Sequence, residues 1–496
     1  MSPNFCQSFD GSGRVPRKVQ VDVLKNLEDN WDKYPNHIMS LATGLGKSYL
    51  MLSIAKCFPN AAIITPSNIL VQQYISEYPN INYLWGKQHY QCHKFKGFSC
   101  ADIQDDKTLG DSIRCAGDEC EYKIRKAVAM EKTTIYNPMS FLFLMKRTEA
   151  ERKDVILIDE AHLLPDMLLT ITRKVLKKSK YNYPDDVSNA FVLRNFIETT
   201  IVQLDALMNT YSKRSKMVGE IFNEICDLRL LIDILKLEPH NFITYTEKCL
   251  SRGRPDEQLI IQPLKIPKAL MQYFLDANHV VMMSGSILSH DIKEMLGDRK
   301  YKYYDYPSPI PKENRQVFFM PTDYKMNFET PPEKIAESID SIYNKDPVQN
   351  TIVHVTYDLS KKISPLMKTK HLINDKLDKE KKLKQFKEEG GLFLASGCAE
   401  GIDLKDDFAR RNVIVKLQWP NRGDEFVKKR MSLIDGESWY ALQMFKTTIQ
   451  QAGRTTRNEK DYSEIYILDK NFVTSFKKYH KELPAYFKES IIWSNI

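Results

Sequence analysis

The sequence predicts an α/β fold built on largely parallel sheets, and three observations carry that prediction. Short apolar runs recur at 37–41, 61–65, 155–158, 280–283, 351–355, 392–395, 412–417 and 465–468. Their length and Val/Ile content suit strands buried on both faces. Helical stretches separate several of them, and strands alternating with helices make parallel sheets. Polar and glycine-bearing residues follow the runs, at the strand ends where open parallel sheets gather ligands.

Composition supports packed cores. The chain has 496 residues, 42% hydrophobic and 11% aromatic. At about 100–200 residues per domain, that length implies two to four domains. No apolar run approaches the ~20 residues that a membrane-crossing helix needs. Residues 1–13 are polar and lack a basic-then-apolar leader, so an intracellular location is expected. The net charge of +8 permits a polyanionic partner without demonstrating one. The nine cysteines are odd in number and come without a leader, which argues against a disulfide scaffold. Cys6, Cys57, Cys226, Cys249 and Cys398 are scattered and read as small buried hydrophobes.

Two regions interrupt the alternation. Residues 85–132 are rich in Cys, Lys, Asp and Gly. Residues 165–238 are helical in pattern: Phe191, Leu193, Phe196, Ile197, Ile201 and Leu204 recur at three- and four-residue steps, as do Ile221, Ile225, Leu228, Leu231 and Ile232. Both read as insertions in a first α/β lobe. The charged stretch 375–389 reads as a solvated helix stopped by Gly390-Gly391.

The run 37–41 leads into Ala42-Thr43-Gly44-Leu45-Gly46-Lys47-Ser48 and then a helical stretch. Glycines let backbone N–H groups turn inward around phosphate oxygens, and a helix N-terminus adds a favourable dipole. Lys47 would reach the β- and γ-phosphates and Ser48 would ligate Mg²⁺. The strict pattern opens with Gly, where this chain has Leu41. Upstream, Arg17 and Gln20 are spaced Arg-x-x-Gln. An amide can bond an adenine edge through donor and acceptor together, although a surface helix explains the spacing equally well.

The run 155–158 ends in Asp159-Glu160-Ala161-His162. Asp159 would hold Mg²⁺, and Glu160 would take a proton from the attacking water or orient it. His162 could sense the γ-phosphate. Near the C-terminus stands Gln450-Gln451-Ala452-Gly453-Arg454-Thr455-Thr456-Arg457. Arginine is planar and permanently charged, so Arg454 and Arg457 could clamp a transferring phosphoryl group.

In this order the motifs resemble those of superfamily 2 helicases, and more closely the iron–sulfur XPD/DinG family. Thr65-Pro66 with Gln72 resembles the family's second motif. Gly86-Lys87 through Tyr90-x-Cys92 resembles the entry to its cluster domain, Cys120-x-Tyr122 the exit, and 137–142 the return to the first lobe. Ser284-Gly285-Ser286 stands where the family has Ser-Ala-Thr. Ser308-Pro309, Pro311 and Glu313-Asn314-Arg315 resemble its Ser-Pro-Phe-x-x-Glu-Asn-Arg stretch. Glu400-Gly401-Ile402-Asp403 and Gln450-x-x-Gly453-Arg454-x-x-Arg457 resemble its last two motifs, and Asp461 and Asp469 fall where acids follow.

The resemblance implies two RecA-like parallel-sheet motor lobes with a cysteine-cluster insertion and a helical, arch-like insertion in the first. The expected division is 1–85, 133–165 and 241–290 for the first lobe, 86–132 for the cluster insertion, 166–240 for the arch and 291–496 for the second lobe. ATP would sit between the lobes. Arg17, Gln20, Thr43, Gly44, Leu45, Gly46, Lys47, Ser48, Asp403 and Gln450 would contact it, and Asp159 with Ser48 would carry Mg²⁺. Expected partners are single-stranded DNA and forked or tailed duplex DNA, without membrane. The protein would act as a monomer travelling 5′→3′. Compact size and lysine-rich composition fit a virus- or phage-encoded member, placed in the host-cell cytoplasm.

Four cysteines follow the pattern Cys92-x7-Cys100-x14-Cys115-x4-Cys120. Four thiolates can hold a [4Fe–4S] cluster or Zn²⁺, and spacing alone does not separate the two. Short Cys-x-x-Cys knuckles are absent, and the resemblance implies the iron–sulfur cluster.

Overall fold

The computed structural model describes residues 3–9, 15–42, 44–102, 119–147, 152–211, 216–251, 253–319, 326, 329–398, 404, 406–456 and 460–493. Two seven-stranded parallel sheets with helices form two α/β lobes, as expected. All eight apolar runs are strands, with ends shifted by at most three residues.

The first sheet contains β1 (Asn36–Ser40), β2 (Ala61–Ile64), β3 (Asn82–Leu84), β4 (Thr134–Tyr136) and β5 (Lys153–Ile158), with β9 (Ala277–Ser284) and β10 (Tyr301–Asp305) from later in the chain. Their order is β10-β1-β9-β5-β2-β4-β3. Side chains alternate between the faces of a strand. Thus Ile38, Ile156 and Val280 enter one apolar layer with Phe141, Leu164 and Phe274. Their neighbours Met39, Leu157 and Val281 enter the other with Leu24, Leu50 and Ile54. Helices cover both faces, which is why these strands read as unbroken apolar runs.

Two expected boundaries are corrected. β10 pairs in register with β1, from Asn36↔Tyr301 to Ser40↔Asp305, so the first lobe runs past 290 to residue 305. The insertion expected to be helical over 166–240 also contains a sheet: β6 (Lys174–Lys177), β7 (Phe242–Ser251) and β8 (Arg254–Pro263) pair antiparallel in the order β6-β8-β7. Leu176, Phe242, Leu259 and Ile261 share a core with Ile197 and Leu228 of the helices Ala190–Thr210 and Lys216–Leu237. Those helices cover one face of the hairpin, which therefore belongs to the insertion and not to the end of the first lobe. Gly219 lies against the cysteine-rich segment: a Cβ there would stand 3.0 Å from the Asp102 carbonyl oxygen.

The second sheet contains β11 (Val317–Phe319), β12 (Thr351–Val355), β13 (His371–Ile373), β14 (Leu392–Ser396), β15 (Arg411–Ile414), β16 (Glu464–Ile467) and β17 (Ile491–Trp493). Their order is β13-β14-β12-β15-β16-β11-β17. The charged helix Lys379–Glu389 ends at Gly390, whose φ of 69° is accessible mainly to glycine.

Candidate active site

The phosphate-type loop lies between β1 and the helix Lys47–Ala55. Gly44 and Gly46 hold φ values of 83° and 84°, the left-handed backbone that glycine adopts without strain and that phosphate-cradling loops use. Arg17 and Gln20 brace this loop. Gln20 Nε2 donates to the Leu45 carbonyl at 2.9 Å, Gln20 Oε1 accepts from Arg17 N at 2.9 Å, and Arg17 Nη1 donates to the Gly44 carbonyl at 2.7 Å. These bonds use one N–H and one lone pair of the Gln20 amide and fix its orientation beside the loop. A Cβ on Gly46 would meet Gln20 Nε2 at 2.5 Å, so this contact also requires the glycine.

Asp159 and Glu160 follow the carboxyl end of β5, next to that loop. Lys47 Nζ pairs with Glu160 Oε1 at 3.1 Å. Glu160 holds a left-handed backbone, φ 43° and ψ 46°. For a residue with a Cβ this costs about 1–3 kcal/mol, a strain characteristic of functional sites. Asp159 accepts from the Tyr74 hydroxyl at 3.2 Å and from Glu160 N at 2.9 Å. Burial, with the Glu160 charge beside it, pushes the Asp159 carboxyl above the usual range. Glu160 is also pushed up by burial, but the positive charges of Lys47 and Arg454 help hold it below its ordinary value. The site therefore stores negative charge on Glu160, where Lys47 neutralises it.

His162 connects the two lobes. Its Nδ1 lies 2.7 Å from Ser284 Oγ at the end of β9, and Gln450 Nε2 approaches its Nε2 at 2.6 Å from the second lobe. Burial lowers the imidazole to about 4, so it is neutral at working pH. A neutral ring has one donor and one acceptor. Gln450 donating to Nε2 leaves Nδ1–H to donate to Ser284 Oγ. Ser284 Oγ also accepts from Ser286 N at 3.1 Å, and the Ser284 carbonyl accepts from Leu41 N, beside the loop, at 2.9 Å.

The lobes are joined again by a buried ion pair, Lys446 to Asp291 at 2.7 Å. Gln450 and Lys446 share the helix Gly436–Ala452, which delivers Arg454 just beyond its end. Arg454 is near enough to depress the pKa of both Glu160 and His162. Gly44, Leu45, Gly46, Lys47, Ser48, Asp159, Glu160, His162, Gln450 and Arg454 thus come together. Thr43, Asp403, Arg457 and Cys115 lie outside the described residues. Sequence reasoning missed Tyr74, whose only signal was an aromatic two positions after Gln72.

In the cysteine-rich segment a bridge pairs Gln91 with Ser99 antiparallel. Alternation then puts Cys92 and Cys100 on the same face of that ribbon. Cys100 and Cys120 bring their sulfurs to 3.8 Å among Tyr90, Trp85 and Tyr122, and all three cysteines are buried. Among the described residues, no three Cys, His, Asp or Glu are grouped as metal ligands. The donor chemistry, converging soft thiols in an apolar surround, suits a thiophilic metal.

Residues 348–490 match the family model for the helicase C-terminal domain, and residues 14–191 match that for the type III restriction enzyme, res subunit. Among curated relatives, the probable ATP-dependent helicase of Methanocaldococcus jannaschii is 23% identical over 304 residues, 54% of this chain and 45% of that protein. The human regulator of telomere elongation helicase 1 is 26% identical over 119 residues, 21% of this chain and 10% of that protein. The Gallus gallus Fanconi anemia group J protein homolog is 25% identical over 118 residues, 21% of this chain and 9% of that protein. The matches thus span under half the length of these relatives. The solved structure named XPD_Helicase superposes with a TM-score of 0.59 at 14% identity, covering 97% of this chain and all of that one (100%). Xpd4 of S. tokodaii gives 0.55 at 12% identity, again over 97% and 100%. The fold is therefore the two-lobed one of the XPD structures.

Proposed function

We propose that this chain is an ATP-driven DNA helicase of the XPD/DinG type, coupling nucleotide hydrolysis between its lobes to strand separation. The observation that carries this reading is the convergence on one site of Lys47, Asp159 and Glu160 from the first lobe with Gln450 and Arg454 from the second. The helicase-domain match over 348–490 and the helicase relatives support it.

The chain's own groups account for the hydrolytic step. The loop amides and Lys47 bind the β- and γ-phosphates. Incoming phosphates compete for Lys47 and release Glu160 from its ion pair. Glu160 then accepts a proton from water as the water oxygen bonds to the γ-phosphorus. The bond from that phosphorus to the bridging oxygen breaks, and ADP takes the electron pair. Arg454 stabilises the charge that develops there. Ser48 and Asp159 would hold Mg²⁺, which neutralises phosphate charge when bound. His162 stays neutral and reports the state of the site to Gln450. Closure on ATP and release after hydrolysis would draw the lobes along single-stranded DNA held mainly through phosphates. By resemblance, travel is 5′→3′.

Cys92, Cys100, Cys115 and Cys120 would hold a [4Fe–4S] cluster that stabilises a segment too small for its own core. One distance favours a second reading: two thiolates on one tetrahedral zinc, with Zn–S about 2.3 Å, stand ~3.8 Å apart, the Cys100–Cys120 separation.

The test is ATP turnover and strand displacement on a 5′-tailed duplex, with Lys47→Ala as control. DNA-stimulated turnover with displaced strand, both lost in the variant, supports the helicase. Turnover without displacement replaces it with a translocase that remodels protein–DNA complexes. Absence of turnover rejects the motor.

A further inference from the structure

The Glu313-Asn314-Arg315 stretch has no role in the hydrolytic step, yet Arg315 is almost fully buried. Its guanidinium reaches the segment just before β17. Nε donates to the Ile310 carbonyl at 2.9 Å, Nη1 to the Tyr486 carbonyl, and Nη2 pairs with Glu489 at 2.5 Å. Nη1 and Nη2 thus fasten one short segment while Nε ties the guanidinium back to Ile310, a fork that lysine does not reproduce. Leu483 and Phe487 of that segment are buried in the second-lobe core. The segment therefore moves with the second lobe.

Two further contacts cross to the first lobe. Ala485 N donates to Asp305 Oδ2 at 3.1 Å, at the end of β10 beside the loop-bearing β1. The Tyr486 hydroxyl donates to the Gly285 carbonyl at 2.6 Å. Gly285 is the middle residue of the turn whose first member, Ser284, holds His162. Glu160 is close enough for its charge to act on the phenol, which burial first and that charge second push upward, so the hydroxyl remains protonated and a donor.

We propose that Tyr486 is a positioning residue for hydrolysis: seated by Arg315, it pins the Ser284-Gly285-Ser286 turn from the opposite lobe and so fixes His162 beside Glu160. The proposal rests on the ATPase reading above. It makes the second lobe grip His162 twice, once through Gln450 on its ring and once through Tyr486 on the turn beneath it. Tyr486 itself reaches no phosphate.

The experiment compares wild type, Tyr486→Phe and Glu489→Gln. Phenylalanine keeps the ring and removes one hydrogen bond worth about 0.5–1.5 kcal/mol, a factor of roughly two to ten. DNA-stimulated kcat in Tyr486→Phe should fall by about that factor with KM for ATP within twofold, and Glu489→Gln should move the same way by less. Amide exchange at Ser286 should accelerate in Tyr486→Phe whether or not nucleotide is present, a readout that survives even if wild type hydrolyses no ATP. Unchanged kcat, or unchanged exchange at the turn, overturns the proposal while leaving the helicase reading intact. A parallel rise in KM assigns Tyr486 to nucleotide binding and overturns it too. Loss of turnover in wild type rejects the helicase reading, and the exchange result then decides the pinning alone.

Discussion

Gln450 and His162, 288 positions apart in the chain, meet at 2.6 Å across the lobe boundary. This hydrogen bond gives the neutral imidazole its tautomer and ties the arginine-bearing helix to the acidic strand end. Removing either partner should lower turnover and uncouple it from DNA. His162→Ala and Gln450→Ala should each reduce DNA-stimulated kcat by about tenfold, a 1.4 kcal/mol change. Because they serve one contact, the double variant should cost little more than either single one. Steady-state ATPase assays with and without single-stranded DNA measure this, and fully additive losses would remove the coupling role.

Burial and the neighbouring Glu160 charge disfavour the ionised form of Asp159. Asp159→Asn should abolish hydrolysis, at least a hundredfold, yet raise the stability of the nucleotide-free protein by about 1 kcal/mol or more, since a buried charge is removed at nearly constant shape. Thermal melts without nucleotide test the second half; a lower melting temperature contradicts it.

Acid should destabilise the fold through its buried histidines. His37 and His162 are each lowered from 6.5 to about 4, chiefly by burial. The unfolded chain takes up their protons first. Their contribution is therefore complete above pH 6.5 and is lost as pH falls toward 4, by up to about 3 kcal/mol each. His354, lowered to about 3 by burial, has neither ring nitrogen hydrogen-bonded. His354→Leu should flatten the acid limb of a denaturation midpoint plotted against pH. An unchanged slope would show that other groups set it.

The Lys446–Asp291 pair lies almost completely out of solvent between the lobes. Truncating one member leaves an uncompensated charge, so Lys446→Met should cost about 3–5 kcal/mol. Lys446→Met with Asp291→Asn should recover much of that loss. Urea denaturation of the two variants measures the difference, and equal losses would mean the pair is not a closed electrostatic unit.

Cysteine ligation predicts colour and metal content. Protein purified without oxygen should absorb visible light and carry iron, and Cys115→Ser should lose strand separation while keeping much of its ATPase. Zinc-loaded, colourless protein would move the assignment to the reading that the Cys100–Cys120 distance favours.

Much of this was legible in the sequence. The eight apolar runs became strands because a strand covered on both faces has no polar face to hide its signal. β3, β4, β11, β13 and β17 have only three residues each, too few for a period to register. The hairpin of β7 and β8 was missed because its covered face packs on insertion helices and its alternation is broken by exposed apolar residues such as Leu250.

The sequence by itself pointed to Lys47, Asp159, Glu160 and Arg454, because the proposed phosphate and proton transfer calls for those residue types at such spacings. Only the tertiary structure decided what holds them. Gln20 on the loop backbone, Tyr74 on Asp159, Gln450 on His162 and Tyr486 on Gly285 are pairings between distant segments. They depend on how sheets stack and lobes dock, and no local pattern of residues encodes that geometry.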